Sequence, residues 1–472
     1  LGEVLERLGK SGMPTEPPQV TRDRSLQADG APGADLGENA EALSLQTVGL
    51  HQQLRNIGRD ARIRHARRLH PLRIVVGDPM VTIHSGGIIV RGKALRTSKS
   101  PPLLYRGGAY TRGQEIIAHS CTTRTAEARC IVGDAPDMPP RPRRNVSKRV
   151  IYGGFVFEHF GHLLLEGLAR LWGARLIDNK LPIYVQCAGP TLSQVARKLL
   201  ELAGLAKQVH VVGRDTSFDS VVVPEPAFVV QYKAHKAFKE MYLRITDRVL
   251  GSSPVDTTDQ PLYLSRTGLP PDVRSLFGES ILEDVLRRNG VHIVHPERLD
   301  LAEQIYLINR HRVVLGPIGT AFHLLLFSRL ANEATYFCTD SPNLSYGLCD
   351  VLNGTRAEYV CVAARRPPFH HGRFKRAAAY PEILNIDACL AHLRDRGYIT
   401  NLEYDRQQLG PLQDEHRRRF LHAALRDAQL HRNRTLLDAT AEVVRRDYRN
   451  DATLVGRLET VVEVLNDRNR LK

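Results

Sequence analysis

The chain has no uninterrupted apolar stretch of about 18 residues, so no transmembrane helix is expected. Its first residues carry no apolar core of a secretory signal. It begins at Leu1 rather than Met, so a true N-terminus further upstream is expected. Seven cysteines are scattered, odd in number and without CxxC spacing. That pattern suits reduced thiols in a cytosol better than a disulfide framework, and offers no metal-type thiolate pair. There is no HExxH and no Asp-x-Asp, so neither a zincin-type site nor a carboxylate pair for a divalent ion on phosphates is offered.

What is present is an ordinary globular composition, 42% hydrophobic and 25% charged over 472 residues, enough for two or three cores. The net charge of +15 is unevenly placed. Residues 1–50 hold 4 Lys+Arg against 8 Asp+Glu, and residues 51–150 hold 20 against 6. Basic runs at 62–68 and 141–149 stand out. Such a face suits anionic lipid, nucleic acid or an acidic polymer, and equally a solvated basic surface. Few aromatics interleave with these arginines, which weakens a nucleic-acid reading, and no nucleic-acid partner is expected.

Residues 1–70 are mostly rich in Gly, Pro, Ala and acids and read as disordered. From 71 a hairpin-rich region begins, punctuated by Gly86-Gly87 and Gly107-Gly108. Strand and helix then alternate. Strands are predicted over 150–157, 182–186 and 209–212, an extended run over 220–230, and helices over 159–177, 192–203 and 235–250. Residues 251–261 read as a linker. A second alternating set follows, with strands at 262–265, 291–294, 312–315, 335–338 and 358–362, and helices at 280–288, 301–310 and from about 320. Alternation of this kind implies parallel sheets, hence two α/β domains of Rossmann type, 71–250 and 260–395, facing a cleft. Leu454, Leu458, Val461 and Leu465 recur at helical spacing, so 401–472 reads as a helical extension suited to packing or oligomerisation.

Three segments carry chemistry. Val313-Val-Leu-Gly316-Pro-Ile-Gly319-Thr320-Ala321 is a strand, a glycine turn and a helix start, which aims backbone N–H groups at an anion. Tyr263-Leu-Ser265-Arg266 ends a strand where α/β ligands sit, and an Arg there offers forked donors to phosphate or is simply a surface residue. Asp300 and Glu303 fit a capping box; Glu303 could also hold a ribose hydroxyl. In the first set, His159, His162, Glu166 and Arg170 fall on one face of the predicted helix. A His one turn from a carboxylate suits a general base, against the alternative of buried hydrogen-bonded polar residues. The same spacing could chelate a metal through His159, His162 and Glu166.

These segments, in this order and spacing over roughly 72–395, resemble family 61 glycosyltransferases. The likeness rests on Phe160-Gly-His-Leu-Leu-Leu-Glu-Gly-Leu-Ala-Arg-Leu-Trp172, on Tyr263-Leu-Ser-Arg266, on 301–304 with 313–321 and Leu326-Phe327, and on a closing helix at 386–390. The resemblance implies a two-domain GT-B fold and an inverting, metal-independent transfer from a nucleotide sugar, a UDP-sugar by expectation. The acceptor would be a glycan or a lipid-linked glycan in cell-surface polysaccharide synthesis. By that likeness Ser265, Arg266, Gly316, Gly319, Thr320 and Ala321 would hold the diphosphate, and His162 and Glu166 would line the acceptor side as catalytic groups. Ile318 stands where the family usually has His, with His323 one turn on as its candidate replacement, and His159 stands where the family often has Asn. The expectation is a cytoplasmic enzyme that needs no cofactor and touches the inner membrane face through residues 51–150. The rival expectations are a metal-dependent hydrolase on His159, His162 and Glu166, and a non-catalytic basic binding protein.

Overall fold

The computed structural model describes residues 21–22, 73–75, 79–95, 104–125, 127–176, 180–251, 254–269, 276–338, 343–364 and 380–467. The acidic first segment, apart from Thr21–Arg22, and the basic run at 62–68 lie outside the described residues. The chain is mixed α/β, with parallel-rich sheets and a group of C-terminal helices.

The first sheet is built on β1 (Val81–Ser85), β2 (Arg144–Phe155), β3 (Ile183–Gln186), β4 (Val209–Val211) and β5 (Thr216–Pro224). Their order is β1-β5-β2-β3-β4, parallel from β5 to β4, with β1 antiparallel at the side of β5. Short strands at Ile88–Ile89 and Ala109–Tyr110 extend it, as the glycine-punctuated region suggested. Helix α1 starts at Phe160–His162 and widens at once into a π turn, Leu163–Gly167. The single helix expected over 159–177 therefore does not form. Gly167 and the widened turn end it, and Leu168 closes it with φ −99 and ψ −3. Helix α2 (Gln194–Leu202) is capped by Ser193, whose side chain accepts from the Ala196 N–H. It buries Ala196, Leu199 and Leu200. Helix α3 (Lys236–Leu250) follows.

The second sheet comprises β6 (Leu262–Leu264), β7 (His292–Val294), β8 (Val313–Pro317), β9 (Glu333–Cys338) and β10 (Arg356–Cys361). All pairs are parallel, in the order β7-β6-β8-β9-β10. Helices α4 (Glu279–Arg288), α5 (Leu301–Arg310) and α6 (Leu344–Asn353) make connections, and a 3-10 helix over Thr320–Phe327 links β8 to β9. Residue alternation sorts the strands between two faces. Leu262, Leu264, Val314 and Tyr336 pack with α5, the 3-10 helix and α6. Tyr263, Leu315 and Phe337 pack with α4 and with α7 (Ile386–Asp395). The first of these cores is continuous with that of the first sheet, and α3 is the bridge. Tyr242 donates to Leu164 O at 2.6 Å and Thr246 to Phe327 O at 2.6 Å. Each large apolar side chain buried here contributes about 1.5–3 kcal/mol.

The last helices, α8 (Leu409–His431), α9 (Arg434–Asp447) and α10 (Ala452–Asp467), hold a core of their own that includes Leu421, Leu436, Leu454, Leu458 and Val461. Among the described residues no helix is long and apolar enough to cross a membrane.

Candidate functional site

In the second sheet, the chain leaves β6 toward one edge and β8 toward the other, so a crevice opens where their carboxyl ends diverge. Ser265 and Arg266 stand at the end of β6, and Ile318 to Ala321 at the end of β8. Gly316, with φ +153, is needed for the strands themselves, because a Cβ there would lie 2.8 Å from Leu264 O. Ile318, partly buried, packs against the apolar core and its N–H goes to Phe337 O at 2.8 Å. Gly319 then caps the 3-10 helix in extended conformation, without a side chain in the way. The N–H groups that follow lack intrahelical carbonyls, as at any helix start, and face the crevice.

These residues form one wall of a cleft of ≈ 1020 Å³. The opposite wall comes from the first sheet's helices: Phe160 at the start of α1, and Val195, Arg197 and Lys198 on the exposed face of α2. Three cations, Arg266, Arg197 and Lys198, therefore border one space across the two sheets. The α2 pair was missed from sequence. Its only signal is two adjacent cations on the face opposite Ala196, Leu199 and Leu200.

Two buried carboxylates hold the Arg266 loop from beneath. The Ser265 hydroxyl donates to Glu283, as does the Thr267 hydroxyl at 2.8 Å. The Arg266 N–H and the Tyr263 hydroxyl donate to Glu279 at 2.9 and 3.2 Å. Burial pushes the Glu279 carboxyl up to about 7. Glu279 and Glu283 sit four apart on one face of α4, so the helix sets the loop's position. Ser265 borders the cleft, but its hydroxyl is engaged in this support.

A second polar group lies on α1. Glu166, 1% exposed, accepts from the His162 Nδ1 at 2.7 Å and from both Nε and Nη2 of Arg124 at 2.8 and 2.7 Å. Burial pushes Glu166 up, but the hydrogen bonds and charges of His162 and Arg124 outweigh it and hold the group below its usual range. An ionised Glu166 fixes the proton on Nδ1 and leaves Nε2 of the 40% exposed His162 ring as a proton acceptor. Arg124 comes from a short strand, Thr122–Arg124, and carried no signal in the sequence.

The remaining predicted residues fall as follows. His159 packs 5.1 Å from the His162 ring, centroid to centroid. Arg170 is buried and donates to the carbonyls of Pro224, His119 and Cys121, so past the break in α1 it serves the scaffold, away from the cleft. Glu303 closes a reciprocal capping box with Asp300, at 2.8 Å in both directions. His323 is buried, stacked on Tyr346 at 4.7 Å, and burial with the neighbouring His162 and His159 lowers it to about 3. The ring is neutral near pH 7 and brings no positive charge to the crevice. Gly161 joins the two groups. A Cβ there would meet Thr320 Cγ2 at 2.6 Å and His323 at 3.5 Å, so only glycine lets α1 rest on the start of the 3-10 helix. Among the described residues no three His, Cys, Asp or Glu side chains are placed to hold a metal ion. Both Glu166 oxygens are already taken by His162 and Arg124.

A parallel sheet with cations and helix-start amides at its switch point is an arrangement suited to an anionic, phosphate-bearing ligand. Residues 160–338 match the model of the family Glycosyltransferase 61. The matched span runs from α1 through β9 and so contains His162, Glu166, Ser265, Arg266 and the 316–323 segment; Arg124 lies before it. No curated protein matches the chain.

Proposed function

We propose that the protein is an inverting glycosyltransferase of two-domain GT-B design, which moves a sugar from a nucleotide sugar to a hydroxyl of a glycan acceptor. The observation that carries this reading is the cleft itself. Arg266 and the Gly319 to Ala321 turn face Arg197 and Lys198 across it. The His162–Glu166 pair does not line the cleft but follows Gly161, which rests on Thr320 of that turn. The acceptor oxygen forms its bond to the anomeric carbon while the bond to the diphosphate breaks. His162 Nε2 takes the acceptor proton, and Glu166, held by Arg124, stabilises the resulting imidazolium. Arg266, Arg197, Lys198 and the helix-start amides stabilise charge on the departing diphosphate, a task a metal performs in other designs. The donor is a UDP-sugar in the first instance, and the acceptor a free or lipid-linked surface glycan. The basic region 51–150 would hold the enzyme against the inner membrane face in the cytoplasm. The helices after 401 would serve oligomerisation, with Leu430 60% exposed as a contact.

The test is release of free nucleotide from UDP-, GDP- and CMP-sugars in the presence of mixed glycan acceptors. His162→Ala should lower turnover about 10²–10⁴-fold while leaving donor binding intact. Turnover of His162→Ala at the wild-type rate removes the assigned base, and release from no donor by the wild type counts against sugar transfer.

A further inference from the structure

A second pocket, ≈ 470 Å³, shares no lining residue with the cleft and has no part in the proposed transfer. Its floor is a buried ion pair. Arg106 donates to both oxygens of Asp215 at 3.1 and 2.8 Å, and each side chain is under a tenth exposed. Asp215 also accepts the N–H groups of Arg91 and Arg141, both at 2.9 Å. Burial pushes its carboxyl up, but these four donors hold it below its usual range, so it stays ionised. One carboxylate therefore clamps three separate chain segments, and the Arg106 charge neutralises it.

The clamp has a consequence for the rim. Arg91, Lys93, Arg141, Arg143 and Arg214 all border the pocket and all are exposed. None of these five side chains has a hydrogen bond or ion pair among the described residues. Against them stands one carboxylate outside the floor pair, Asp137. Elsewhere exposed arginines pair freely, as Arg418 does with Asp414 and Asp451. Holding five like charges round one concavity costs free energy, which an anion entering the pocket recovers. The volume lies within the range of small-ligand sites.

We propose that this pocket binds a phosphate-type oxyanion, phosphate or diphosphate, carried by a ligand other than the sugar donor. Guanidinium forks suit phosphate oxygens, and the Asp215 clamp presents Arg91 and Arg141 side by side for that purpose. The same chemistry is offered by a soluble phosphorylated molecule and by an anionic lipid headgroup. The inference does not depend on sugar transfer, since no residue of the pocket belongs to the cleft.

Pyrophosphate is the probe, titrated calorimetrically into the full chain at low ionic strength. A protein carrying Arg197→Ala, Lys198→Ala and Arg266→Ala serves as the parent, so that all three cations of the cleft are removed. The parent should bind pyrophosphate, and adding Arg143→Ala and Arg214→Ala should weaken binding about tenfold per arginine removed. Adding Arg445→Ala and Arg449→Ala instead, an equal charge loss on α9 and just beyond it, should change it little. Flotation with phosphatidic acid vesicles that is lost in the Arg143→Ala/Arg214→Ala protein assigns the headgroup as the source; pyrophosphate binding without flotation assigns a soluble phosphate. Failure of the parent to bind pyrophosphate, or equal loss in the two double substitutions, overturns the proposal.

Discussion

Replacing Arg124 by Ala takes two hydrogen bonds and a full positive charge from a carboxylate that has almost no access to water. Glu166 is 1% exposed and, among the described residues, keeps only His162 at 2.7 Å as a side-chain partner once Arg124 is gone. Breaking a buried pair in this way costs about 3–5 kcal/mol when both groups are dry. Arg124 is 21% exposed, so water screens part of the interaction, and about 2–3 kcal/mol is expected here. Trp172, the chain's single tryptophan, is buried in the same core as Leu163 to Leu165 and reports unfolding of this region by fluorescence. In a urea double-mutant cycle, Arg124→Ala should cost that amount in the wild type and under about 1 kcal/mol in a Glu166→Gln background. The same substitution should also lower sugar transfer without altering stabilisation by nucleotide sugars, because Arg124 lies outside the cleft. An equal cost in both backgrounds refutes the claim that the guanidinium acts through Glu166.

Gly161→Ala should destabilise the protein by about 1–3 kcal/mol, because its methyl carbon meets Thr320 Cγ2 at 2.6 Å. Thr320→Ser removes that methyl and should restore most of the loss, read as the urea midpoint; no rescue places the strain elsewhere. His323 predicts a pH dependence. The unfolded ring takes up a proton below 6.5 and the folded ring only near 3, so its contribution is complete above 6.5 and falls as pH drops toward 3. Unfolding midpoints between pH 7 and 4 should fall more steeply in the wild type than in His323→Phe, and parallel curves contradict the assignment.

The second sheet was legible because its strands are short, apolar and bounded by turns. Val313-Val-Leu315 is buried on both faces, and Leu262 to Leu264 likewise. Asp300 and Glu303 show why local chemistry reads well. A capping box closes within four residues, and it duly forms. The helix over 159–177 failed for the opposite reason. Apolar spacing continued past Gly167, but the π turn and the packing of α1 against the 3-10 helix ended it, which carried Arg170 away from His162. Arg124, Arg197 and Lys198 were not legible, since each meets its neighbours across the sequence; Arg124 and Glu166 are 42 positions apart. Gly316 and Gly319 looked alike in the sequence and do different work. One lets two strands approach, and the other opens the cleft.

The central claim is that the cleft between Arg266 and α2 holds the nucleotide diphosphate. Thermal unfolding of the full chain with and without UDP-, GDP- and CMP-sugars tests it most directly, with Arg266→Ala beside the wild type. At least one donor should raise the wild-type midpoint, and Arg266→Ala should bind it roughly ten- to a hundredfold more weakly, the loss of a charged hydrogen bond of about 1.5–3 kcal/mol. If no donor stabilises the wild type, or Arg266→Ala responds equally, the cleft is not the donor site.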